Sequence, residues 1–401
     1  MAVQHRSALP QMRDPGRCVP DYCDFVDDVF GYLPRADQRR WADAYLRGLL
    51  TVPGKKTIRQ MAKAVSLSAG APQALQQFIS ASPWDWEAAR EALARKAAAQ
   101  LPPHAWTIGM TLAVKRGEHS VGVHRRFVAA AGRTLNCQVG VGLFLTSGSQ
   151  SLPVDWSLLM DEGWSSDERR RRRARVPESV RSQPLWTHVL DLTDRLAALN
   201  LTRPAPLVLD RHCAVDAGRL AAHLTLRERD FLIEVQPGQP VLPAQHTRPS
   251  TAARPLLQPV SAQQFMREGG SRRPYVVGVE QNGRTRHLHV YSSLVRLPGL
   301  RPASPGAQRV HRLLAERSAT PQRPPRFWIT NLTDRRMDDV LALMRRPALT
   351  HATVQQLQDD FGLLDFEGRS FPGWHHHMTM SSAAYVYSRL PHGAPRRPAA
   401  V

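Results

Sequence analysis

Cysteine is scarce: Cys18, Cys23, Cys137 and Cys213 are the only four in 401 residues, which points to a reducing cytosol. Cys18 and Cys23 bracket VPDY, a spacing unlike the C-x2-C of a zinc knuckle, and no second Cys/His pair follows at zinc-finger distance, so a structural zinc is not expected. No run of about 18 apolar residues occurs, nor a lone basic amphipathic helix, so no membrane association is expected. The stretch MAVQHRSALPQMRDPG carries no hydrophobic signal segment, which gives a cytoplasmic, nucleoid-associated expectation. Acidic residues are also in deficit, 34 against 54 Lys and Arg, for a net charge of +20. Such an excess asks for a polyanionic partner, and with membranes set aside nucleic acid is the natural one. A general bias toward Arg, Ala and Pro explains part of it, so charge alone does not establish DNA binding. Hydrophobic residues make up 42% of the chain, enough for a real core in two or three domains.

Residues 1–100 read as a helical unit that binds DNA. In DQRRWADAYLRGLL, Trp41, Tyr45, Leu46, Leu49 and Leu50 recur at helical spacing, and TIRQMAKAV and PQALQQFI continue the pattern. SPWDWEAAREALARKAA opens with a Ser-Pro start signal and Trp84 at a core position. Lys55, Lys56 and Arg59 sit at a helix start and are candidates for backbone phosphates, with a solvated helix face as the plain alternative.

From Trp106 the period changes to that of strands. WTIGMTLAV, SVGVHRRFVAAA and LNCQVGVGLFL predict a three-strand antiparallel meander. A basic helix around ERRRRRAR, the amphipathic LWTHVLDLTDRLAAL, the strand PLVLD, a helix near AGRLAAHL and the strand DFLIEVQ follow. Three antiparallel strands and then helix, strand, helix, strand is the order of an RNase H-like α/β core. Its first part would occupy 101–236. Residues 237–325, rich in Pro, Arg, Gln and Ser, read as a β-containing insertion before the last core helix, with one strand pair across Asn282-Gly283. Residues 326–390 would close the core, with Val354, Leu357 and Phe361 on one helix face, and 391–401 would form a disordered tail.

The segments WTIGMTLAVKRGEHSVGVHRRF, GRTLNCQVGVGLFL, PVDWSLLM and GLLDFEGRSFPGWHHHMTMSSAAYVY resemble the DDE-superfamily transposases of bacterial insertion sequences, in the branch with NCQV and EGRSxxGWHHH motifs. QRRWADAYLRGLL and LQQFISASPWDW are similar to that family as well, so the resemblance runs from about residue 33 to about 390. It implies an RNase H-like nuclease in which three acids hold two Mg2+ ions for in-line phosphoryl transfer on DNA ends. The second acid matches Asp210, at the end of PLVLD. The first should lie in the opening strand, where Gly109 and Met110 stand, and the third, sixteen residues before Glu367, maps to His351. The family's Tyr, Arg and Lys around that last acid map to Met344, Pro347 and Gln358, and Pro347 predicts a later start of the helix. Only one acid of three therefore survives. Imidazole can ligate a transition metal but is a poor ligand for Mg2+, so no metal site is assigned.

Six arginines, Arg169, Arg170, Arg171, Arg172, Arg173 and Arg175, fall within seven residues, and Lys115, Arg116, Arg125 and Arg126 border the opening hairpin. Together they suggest a phosphate-binding face. Glu367, Gly368, Arg369, Trp374, His375, His376 and His377 match the family's structural signature. Consecutive histidines on a helix point in three directions and cannot all chelate one ion, so packing and hydrogen bonding are expected of them. Cys137 and Cys213 read as core thiols. The preferred reading is a DNA-binding transposase relative without strand-transfer chemistry and without a cofactor, acting on double-stranded DNA, with a homodimer as one possible form. The first alternative is an active, Mg2+-dependent transposase in which Asp155, Asp161, Asp359 or Asp360 completes a metal site with Asp210. The second is a basic module for RNA or an acidic protein.

Overall fold

The computed structural model describes residues 20–65, 68–128, 131–201, 203–244, 258–268, 273–281, 284–298, 309–318 and 324–391. The residues of the proposed tail from 392 on, Cys18, Asn282 and Gly283 lie outside them. Five helices come first: α1 (Pro20–Phe30), α2 (Ala36–Thr51), α3 (Ile58–Ala64), α4 (Ala71–Ser80) and α5 (Trp86–Gln100). Thr57 starts α3 with a full capping box, its side chain accepting from the Gln60 N–H while Gln60 reaches back. The start signal of α5 is Asp85 rather than the Ser-Pro pair. Its carboxylate accepts from the N–H groups of Glu87 and Ala88, whereas Ser82 is buried and takes a hydrogen bond from Gln38.

The strands β1 (Ala105–Val114), β2 (His124–Val128), β3 (Arg133–Ser147) and β4 (Gln150–Leu158) are antiparallel neighbours, but they do not form the expected meander. The long β3 is the hub. It pairs on one edge with β1 and on the other with both β2 and β4. The strand β4 was not foreseen because Pro153 interrupts it, yet Leu152, Val154, Trp156 and Leu158 are all buried. Proline is tolerated where a ladder is already irregular, and the register of β3 with β4 shifts between Leu143 and Phe144, opposite Asp155 and Pro153.

The chain continues through α6 (Glu162–Ser166), α7 (Glu168–Ala174), α8 (Leu185–Ala198), β5 (Leu207–Leu209), α9 (Ala217–Leu226) and β6 (Phe231–Val235). After these come β7 (Pro240–Pro243), β8 (Val260–Ser261), α10 (Ala262–Glu268), β9 (Tyr275–Gln281), β10 (Arg284–Arg296), β11 (His311–Ser318) and β12 (Arg326–Thr330). Three helices close the chain: α11 (Met337–Met344), α12 (Arg346–Asp360) and α13 (Phe371–Arg389). The strands join one mixed sheet in the order β2-β3-β1-β5-β6-β12-β11-β10-β7-β8, with β4 on β3 and β9 on β10. This is a mixed α/β architecture with one large sheet, consistent with an RNase H-like fold. The hairpin of β9 and β10 forms as expected, with Gln281 opposite Arg284. Residues 237–325 do more than pair with themselves, because β11 and β12 carry them onto the edge of β6.

The parallel pairs β1·β5 and β5·β6 lie in the middle of this sheet and are buried on both sides. Leu207 and Leu209 enter the larger core, while Val208 enters a second one with Trp328, Val340 and Leu343. The helix α13 is enclosed on every side, from Phe371 through Tyr387. It is locked in place by Arg90 of α5, a fully buried guanidinium that donates to the Thr379 hydroxyl, the His375 carbonyl, the Trp156 carbonyl and the Asp155 carboxylate. Burial pushes the pKa of Arg90 down to about 10 against the pull of Asp155. Arg90→Met is therefore expected to lower the unfolding free energy by about 3 kcal/mol or more, since Asp155 and two carbonyls lose a buried donor. A denaturant midpoint equal to that of the parent chain would refute this.

Candidate functional site

Strand alternation carries Asp210 onto the Val208 face of the sheet, toward α12. Asp210 is 4% exposed and caps the short 3-10 turn Arg211–Cys213, its Oδ1 accepting from the His212 N–H at 3.2 Å. Its other oxygen, Oδ2, lies 2.9 Å from His212 Nδ1 and 3.2 Å from His351 Nε2. The two rings approach at 75°, with centroids 4.6 Å apart. Burial pushes the pKa of Asp210 up, but hydrogen bonds and charge from His351 and then His212 outweigh it and hold the carboxyl below its usual value. Among the described residues, Asp210, His212 and His351 form the one group of three His, Cys, Asp or Glu side chains able to converge on an ion.

His351 is brought there by α12, which lies across β1 and β4. The Thr350 hydroxyl meets Thr107 Oγ1 at 2.6 Å and Ser151 Oγ at 2.9 Å, Thr353 donates to the Ser151 carbonyl, and Gln358 donates to Thr111. Pro347 falls in the first turn of the helix, where its missing N–H costs nothing, and α11 ends just before at Met344. Gly109 sits under this helix. A Cβ there would stand 2.8 Å from Phe144 Cε2, 2.9 Å from Thr350 Cγ2 and 3.0 Å from Val354 Cγ2. The space that a side chain at position 109 would need is filled, and Met110 is turned to the opposite face by alternation.

The other acids considered for a metal site lie elsewhere. Asp155 is bound to Arg90 and Arg195, Asp161 caps α6 at Trp164, Asp359 accepts from Gln355, and Asp360 is exposed. Two Mg2+ ions about 4 Å apart need several hard oxygen ligands, and one carboxylate with two imidazoles does not supply them. The donor set and the closed space at Gly109 do not fit that metal pair.

Sequence reasoning passed over Glu234 and Arg326 beside the site. Glu234 is buried, takes two hydrogen bonds from Arg326 at 2.9 and 2.7 Å, and accepts from the Arg211 N–H. The available signal was an acid inside the otherwise apolar strand FLIEV, one residue past the Leu209–Ile233 pair.

The basic residues divide by placement. Lys56 and Arg171 are buried with their charged ends on carbonyls, Lys56 on Val52 and Arg171 on Trp164 and Pro177. Lys55 pairs with Glu367, Lys115 donates to the Phe366 carbonyl, Arg172 pairs with Glu168, and Arg175 reaches the Ser80 carbonyl. Arg59, Arg116, Arg125, Arg169 and Arg173 are exposed, and Arg126 is half-buried. Arg170 stacks 3.9 Å over Trp164. With Arg169, Arg173, Arg369, Glu118, His119 and Asp167 it lines a cleft of about 450 Å3.

The three consecutive histidines are all buried and point apart. His375 stacks on Trp86, His376 stacks on Trp84 and contacts the carbonyls of Ile79 and Trp84, and His377 bridges the Tyr45 hydroxyl and the Gly362 carbonyl. Trp374 and Gly368 are packed nearby, Gly368 against Phe366. Cys137 and Cys213 are buried free thiols, while Cys23 is disulfide-bonded, which the reading of a reducing compartment did not anticipate.

The family described as DDE superfamily endonuclease matches residues 28–287. No curated protein matches the chain.

Gly109→Ala should cost about 1–3 kcal/mol by overpacking α12 against β1; an unshifted thermal midpoint would show that the helix moves freely. Burial holds His188, His311 and His377 down to about 4 in the fold, against 6.5 ordinarily. Their contribution is complete above pH 6.5 and is lost as pH falls toward 4, because the unfolded chain takes up protons first. Each should remove about 1.4 kcal/mol of stability per pH unit in that window. Equal urea midpoints at pH 7 and pH 5 would contradict this.

Proposed function

Since this chain belongs to the DDE superfamily endonucleases, its family match covering residues 28–287, we propose that it is a transposase-type protein that binds double-stranded DNA and no longer performs metal-dependent strand transfer. In this reading β1, β3, β4, β5 and β6 with α8, α9 and α12 make the RNase H-like core. Residues 1–100 form a helical DNA-binding unit, and residues 237–325 form an insertion ahead of the closing helices. Asp210 is the family's second acid, and positions 109 and 351 are those of the first and third.

The observation that carries the reading is the site itself: one buried carboxylate held by two histidines, beneath a helix packed onto Gly109. In-line phosphoryl transfer needs a carboxylate clamp for two ions, and a side chain at position 109 has no room to complete it. DNA binding is supported separately by the net charge of +20 and by the cleft where Arg169, Arg173 and Arg369 stand exposed around the fixed guanidinium of Arg170. Such a surface tracks phosphates rather than bases and is salt-sensitive. Arg171 and Lys56 are not available to phosphates, their charges being spent on carbonyls.

Gel shift with duplex DNA at low salt should show binding that falls steeply as salt rises. Arg169→Ala combined with Arg173→Ala should flatten the log–log salt slope by about 2, at roughly 0.9 per lost phosphate contact. Supercoiled plasmid incubated with Mg2+ or Mn2+ should remain uncut. Nicking that disappears in Asp210→Ala would establish the active enzyme instead, and absence of any shift at low salt would remove the DNA-binding reading.

A further inference from the structure

We infer that Asp210, His212 and His351 form a site for a single borderline divalent ion of the Zn2+ class, in place of a Mg2+ pair. The three ligand atoms come from two pieces of backbone that are fixed independently of each other. The end of β5 supplies Asp210, the 3-10 turn that this same carboxylate caps supplies His212, and α12, seated on Gly109 and on the Thr107–Thr350–Ser151 hydroxyls, supplies His351. The atoms all lie within 4.8 Å of one another, with Oδ2 at 2.9 Å from Nδ1 of His212 and 3.2 Å from Nε2 of His351. Around a tetrahedral ion with bonds of about 2.1 Å, ligand atoms stand about 3.4 Å apart, so the set needs only small adjustments to close on a metal.

The carboxylate is already oriented for this. Oδ1 is held by the His212 N–H, which leaves Oδ2 as the oxygen facing both rings. A backbone donor that fixes a ligating carboxylate in this way is the usual supporting contact of a metal site. The neighbouring cation, Arg326, is neutralised by its two hydrogen bonds to Glu234, so the site is not dominated by a competing positive charge. Two imidazoles with one carboxylate select zinc, cobalt, iron or nickel over magnesium. The His212 side chain is 67% exposed and that of His351 37%, so the outer side of the ion would stay open to water or an added ligand.

The inference goes beyond the proposed function and does not depend on DNA binding, because it is tested on the full chain without DNA. After chelator treatment, Co2+ titration followed by visible absorption, with Zn2+ displacement, should show one saturable site per chain that a large excess of Mg2+ does not displace. His351→Ala and the milder His212→Asn, at an exposed position that should not disturb folding, should each weaken Co2+ binding by roughly 10-fold or more. Both variants should leave the DNA shift in place. Zn2+ should also raise the thermal midpoint of the parent chain and not that of His212→Asn. No saturable Co2+ binding, or equal binding by the parent chain and both variants, overturns the site. Mg2+-dependent nicking would overturn the functional proposal while leaving this measurement to stand on its own.

Discussion

The close approach of α12 to β1 sets the rest of the site. A strand and a helix can come this near only where a residue lacks a side chain, and Gly109 supplies that gap opposite Thr350 and Val354. The hydroxyl chain from Thr107 through Thr350 to Ser151 then fixes the helix in rotation and height. With Thr350 pinned to the sheet, the next residue must emerge at its margin, and this is why His351 reaches Asp210. The same contact that closes position 109 to an acid therefore creates the Asp210–His351 pair. Occlusion at position 109 and the Asp210–His351 contact are two results of one packing event.

The buried polar groups elsewhere follow a similar economy. Arg90 has no access to water, yet its donors are used on α13, β4 and Asp155, so it joins the N-terminal helices to the sheet without leaving an open charge. Arg195 meets the same Asp155 from α8. Removing one member of such a network exposes the desolvation cost of the others, and this makes them better markers of domain packing than any single apolar contact. The His375–His377 run belongs with this group: its rings stack on Trp86 and Trp84 or bridge Tyr45 to Gly362, and none of them faces the candidate site.

Much of the fold was legible because its periods are clear. The helices α2 to α5 carry helical spacing, β5 and β6 are short apolar runs, and the β9–β10 hairpin alternates; the structure has them all, together with α1, which the sequence reading did not single out. The strand β4 was hidden by Pro153, and the order of strands around β3 was hidden because pairing is a long-range choice that local pattern does not encode. At the site, Asp210 and His351 could be placed by counting between motifs, and the count brings two side chains into contact. Glu234 was legible in principle as an acid in an apolar strand. The inward turn of Lys56 and Arg171 was not, since a charged residue on a helix reads the same whether its end meets solvent or a carbonyl.

A lone buried carboxylate is costly, and that cost decides how Asp210 can persist without acidic partners and the ions they would share. In an active two-metal site the ions would neutralise it. Here two imidazole rings and one backbone N–H hold its oxygens, and the rings outweigh burial and keep its pKa below the usual carboxylate value. The pairing offsets the desolvation cost of Asp210, so the framework around it folds with this carboxylate in place. It also leaves an oxygen with two ring nitrogens at its margin, a donor set of the kind that suits an ion preferring nitrogen. On the proposed reading, an exchange of oxygen for nitrogen ligands would alter the metal the site takes more than the fold around it.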